Sequence, residues 1–128
     1  MPDSAAERAA VRMWMSASEG TFLLHALAIA YGSAAAPHAA GDLDARLSGA
    51  VQRDFYWLEQ SLQRKGGKFL LGDKVTAADT MMGFSVDFIL KNKLGTSESS
   101  WPAIQRWMSN VHDTKTYQRA VEKTGFVL

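Results

Sequence analysis

Glu19 and His25 lie six residues apart on one strongly apolar segment, and together they could move protons to and from a bound molecule. A carboxyl group set among Trp14, Met15, Phe22 and Leu23 loses hydration, the condition under which it can act as an acid near neutral pH. An imidazole such as His25 changes charge near neutrality and serves as general base or as a polar anchor for ligand oxygens. At about 100° per residue, Trp14, Ser18, Phe22, His25 and Ile29 fall on one stripe of a helix, with Met15 and Glu19 on its flank. The chemistry this predicts uses no cofactor: isomerisation, cyclisation or dehydration of an apolar substrate. Glu19 and His25 are the candidate catalytic pair. Trp14, Ser18, Phe22 and Tyr31 are the candidate substrate wall, and His112 borders it from a later loop. Blander readings stay open, with Glu19 paired to a basic residue or facing water, and His25 hydrogen-bonded in the core.

Other chemistries find no support in the residues. The chain of 128 residues has no cysteine, which removes disulfides, thiolate nucleophiles and cysteine metal sites. His25, His38 and His112 are isolated, without metal-ligand spacing, so no metal is expected. Fourteen basic and thirteen acidic residues are dispersed without a basic stripe, which argues against a nucleic-acid partner. The apolar run 22–31 is interrupted by His25 and too short to span a bilayer, and the start shows no secretory pattern. A cytoplasmic protein without membrane contact is the expectation.

The elements that must position these side chains read as helices throughout. Residues 5–31 form one long helix, with Ser4 as N-cap, Glu7 completing a capping box, and Gly32 at its end. A small-residue connector broken by Pro37 covers 32–41. A second helix over 43–64 has Asp42 as candidate N-cap. Its stripe of Leu43, Leu47, Val51, Phe55, Leu58 and Leu62 faces a core, and Gly66 and Gly67 follow its end. Thr76 caps a third helix with Asp79 at its third position, and Val75 is placed to staple against Thr80. A fourth helix begins at Trp101 and Pro102, and a fifth spans 115–122, with Asp113 available to cap it. Asp87 is one turn from Lys91, a surface-type pairing. One all-α domain over 1–128, a bundle of about five helices, is predicted.

Four segments carry a resemblance. LGDKVTAAD, residues 71–79, resembles the L-x-G-x-x-x-[ST]-x-A-D stretch of the glutathione transferase helical domain. WPAIQRWMSNV resembles the helix that follows it there, and YQRAVEKTGF the helix that closes that domain. RMWMSASEGTFLLHAL is similar to the first helix of fungal-type transferases. The resemblance implies the C-terminal all-helical fold without the thioredoxin-like domain that binds glutathione, so no glutathione-binding residue carries over. Thr80 and Tyr117 depart from the family's usual aliphatic residue and proline. Met1 favours a natural stand-alone domain. Such a domain leaves an apolar face to be covered, by a hydrophobic small molecule under the chain's own tail, by a second copy in a homodimer, or by another protein. A protein-interaction scaffold, or one half of a split transferase, is the alternative function.

Overall fold

The computed structural model describes residues 1–96 and 99–125, and within them the protein is all-α. Its helices are α1 (Ala5–Ala17), α2 (Leu24–Ala35), α3 (Ala40–Lys65), α4 (Ala77–Lys91), α5 (Pro102–His112) and α6 (Lys115–Thr124). No described helix is long and apolar enough to cross a membrane.

The predicted first helix is one rod in three parts. Ser4 caps α1 by accepting the Glu7 amide at 3.1 Å. The rod then widens into a π turn over Ser18–Leu23, where the Leu24 N–H reaches back to Glu19 O, before α2 resumes. At this point Ser85 of α4 donates its hydroxyl to Ser18 O at 3.1 Å, an added donor where the ladder loosens. The wider turn holds an extra residue, so each later position moves on by one. Ala26, fully buried, takes the inward place that a regular wheel assigns to His25. Gly32 does not end the helix. A Cβ there would lie 3.2 Å from Leu43 Cδ1, so the glycine lets α3 approach closely, and α2 runs on to Ala35, just ahead of Pro37.

A 3-10 turn, Pro37–Ala39, leads directly into α3, which starts at Ala40, ahead of the expected position. Asp42 therefore sits inside its first turn, paired with Arg46 at 2.9 Å, and is not the N-cap. The predicted stripe holds in its second half, where Val51, Phe55, Leu58 and Leu62 are buried. Gly66 closes α3 with a left-handed φ of 71°. Gly67 packs so tightly on Gly72 that a Cβ would lie 2.6 Å from Gly72 O, where Phe69 and Gly72 form a single bridge.

The core lies between the α1–α2 rod, α3, α4 and α5. Val86, Ile89, Ile104 and Trp107 meet Phe55 and Leu58 there. Burying one such side chain stabilises the fold by about 1.5–3 kcal/mol. α5 has Pro102 in its first turn and no side-chain cap of its own. Glu59, buried on α3, supplies the cap from a distance. Its two oxygens accept Ala103 N and Ile104 N, each at 2.9 Å, and Oε1 also takes Gln63 Nε2 at 3.0 Å. α6 is capped by Thr114, whose hydroxyl accepts Tyr117 N at 3.2 Å, while Asp113 stands at the C-cap of α5.

Replacing Glu59 with Ala strips two buried amides of their acceptors and is expected to cost about 3 kcal/mol of stability. Urea denaturation measures it. Glu59→Gln, which keeps one acceptor oxygen, should lose less than Glu59→Ala.

Candidate functional site

α6 is amphipathic, yet none of its residues is buried. Its apolar side instead faces α4 across a cleft of about 470 Å³. Positions one helical turn apart build both walls: Thr80, Phe84 and Asp87 on α4, and Tyr117, Val121 and Thr124 on α6. Val75 and Val111 add apolar surface. Val75 and Phe84 stay 40% and 47% exposed, so the expected staple is not closed off and both it and Thr80 border the opening.

Polar groups gather at one side of this apolar space. His112 Nε2 lies 2.8 Å from Asp87 Oδ2, joining the end of α5 to α4. The His112 ring packs on the Tyr117 ring with centroids 4.6 Å apart. Burial, and then the nearby Asp87 carboxylate, push the Tyr117 phenol above its ordinary value of 10.0. The site thus offers an acceptor-only carboxylate and a phenol that stays protonated. A second cleft, about 400 Å³, is of mixed lining and lies between the end of α3 and α5, bordered by Lys68, Asp73 and Arg106 as well as Leu62 and Trp107.

The sequence-predicted site is distributed differently. Trp14, 4% exposed, stacks on Trp57 at 4.5 Å. Ser18 is fully buried and donates to Met15 O at 2.7 Å. Phe22, 1% exposed, packs on Phe55. These three are core side chains and not a substrate wall, because the stripe they share points inward. Glu19 is exposed on the π turn and is not enclosed by aromatic residues. His25 is half-buried, with Nδ1 2.6 Å from Asp54 Oδ2 on α3. Tyr31 projects from α2 and is 70% exposed. Neither Glu19 nor His25 borders either cleft. Of the predicted residues, His112 alone joins the α4–α6 cluster, from behind Asp87.

Asp87, Tyr117 and Phe84 were missed as site residues. Asp87 reads locally as a partner for Lys91, and its contact with His112 spans 25 positions. The available signal was the pair of departures at Thr80 and Tyr117, both of which border the cleft.

With this geometry in view, the relationships of the chain fall into place. The sequence profile for the glutathione S-transferase C-terminal domain matches residues 26–119. The chain belongs to that family. Glutathione S-transferase 1 of Saccharomyces cerevisiae is 28% identical over 76 residues, covering 59% of this chain and 32% of that protein. A crystal structure of a glutathione S-transferase from Actinobacillus pleuropneumoniae superposes with a TM-score of 0.72 at 22% identity, over 98% of this chain and 54% of that one. The latter is a likeness of fold. The chain spans about a third of the length of the yeast relative and about half of the solved structure.

The Tyr117 environment gives a pH prediction. A phenol whose folded pKa lies above its unfolded value favours folding while it is protonated, so stability should fall as pH rises past about 10 and through the folded pKa. Asp87→Asn removes the second cause of the shift and leaves burial. Ultraviolet titration of Tyr117, with Tyr31 and Tyr56 replaced by Phe, should then show its pKa moving down without reaching the ordinary value.

Proposed function

We propose that this transferase-type helical domain binds an apolar small molecule in the cleft between α4 and α6. The observation that carries the reading is the apolar face of α6, left unburied among the described residues and set against half-exposed Phe84 and Val75 across about 470 Å³. An amphipathic helix normally buries its apolar side, and clefts of this size and lining suit small ligands. An isomerase or lyase built on Glu19 and His25 is the less supported form of the reading, since neither residue borders the cleft.

A second reading draws on α2. Leu24 and Tyr31, seven residues apart and therefore on one helix face, are 60% and 70% exposed. That face suits a protein partner: a second copy of the chain, or the thioredoxin-like half of a two-domain transferase. Sedimentation of the purified protein, alone and with such a domain, tests this reading separately from the first.

For the cleft, Ala120 is exposed on α6 and borders the opening, so Ala120→Trp fills the space without touching the core. Binding of the neutral fluorophore Nile red should weaken by about tenfold or more, with circular dichroism unchanged. Undiminished binding in this variant would remove the cleft as the ligand site.

A further inference from the structure

We propose that the α4–α6 cleft selects apolar ligands that carry a protonated amine, with Asp87 as the counter-ion. The inference rests on the cleft being the ligand site and adds the chemical class of what it holds.

Among the described residues, Asp87 is the one acidic side chain bordering the cleft. Its side chain is only 20% exposed, and His112 occupies Oδ2. Among the described residues no donor reaches Oδ1. A largely desolvated carboxylate with an open oxygen is favourably completed by a cation that brings its own N–H donors. Among the described residues, no lysine or arginine borders the cleft to play that part. Met1 also borders the cleft, but the residue is 76% exposed, and among the described residues no ion pair joins it to Asp87.

The surroundings favour an ammonium over other polar head groups. Phe84 and Tyr117 border the same space, and their ring faces attract a cation. An ammonium has three donors; Asp87 takes one, and the hydroxyl oxygen of Tyr117, close enough to feel the Asp87 carboxylate, is a further acceptor. The Tyr117 phenol stays neutral and adds no second charge. A carboxylate ligand would meet Asp87 with like charge, and a neutral alcohol would bring it no complementary charge. The apolar remainder of the ligand would lie along Val75, Val111 and Val121.

The test compares three probes with one apolar body: 2-naphthylmethylamine, 2-naphthylmethanol and 2-naphthylacetate, titrated calorimetrically into the protein. The amine should bind about tenfold more tightly than the alcohol, and the carboxylate most weakly. In Asp87→Asn, with its fold checked by circular dichroism, the amine should lose its advantage over the alcohol. Ala120→Trp should weaken both. Equal affinity of amine and alcohol for the wild type overturns the amine assignment while the cleft remains a binding site. An amine preference that survives Asp87→Asn or Ala120→Trp overturns it as well, because the cation would then sit elsewhere. Failure of all three probes to bind overturns the cleft reading together with this one.

Discussion

The fold depends on Asp79 more than on any other polar group. It is fully buried, and its two oxygens accept four donors: Leu70 N at 2.9 Å, Thr76 N at 2.8 Å, the Thr76 hydroxyl at 3.0 Å and Trp107 Nε1 at 2.9 Å. One carboxylate thus starts α4, anchors the 69–72 loop and orients the central tryptophan of α5. A buried carboxylate costs heavily in desolvation unless its hydrogen-bonding capacity is met, and here all the donors come from backbone or neutral side chains. The wall of the α4–α6 cleft follows from this anchor. Thr76, Ala77 and Thr80 border the opening and lie in the turn that Asp79 organises.

Much of the fold was legible because its signals are local. The Thr76–Asp79 box, Pro102 in the first turn of α5 and the Val51–Phe55–Leu58–Leu62 stripe each reflect neighbours within a turn or two of helix. The errors arose where a distant contact decides. Gly32 looks like a helix end, yet it serves α2–α3 packing. The π turn displaced His25 by one position, and nothing in SEGTFL announces a wider turn at the level of periodicity.

The site was less legible than the fold for the same reason. A helical wheel finds apolar faces but cannot say which of them meets protein and which meets solvent. Trp14, Ser18 and Phe22 have the composition of a ligand wall and are filled by Trp57, Phe55 and α4. α6 shows the opposite case, a modest helix whose apolar side is not buried among the described residues. Both partly buried histidines, His25 and His112, pair with aspartates on other helices, 29 and 25 positions away. No local spacing encodes such pairs.

The distant cap on α5 bears on how the chain folds. Eleven residues with no side-chain cap of their own make a helix that is marginal by itself. Its first turn is completed by Glu59, 44 and 45 positions earlier in the chain. The entropy of closing that long loop must be met before the cap rewards it, so α5 has little reason to form until α3 is in place. Folding order then runs from the α3 side toward the C-terminus. On this order, Val111 and His112 at the far end of α5 meet α4 only after α3 is in place.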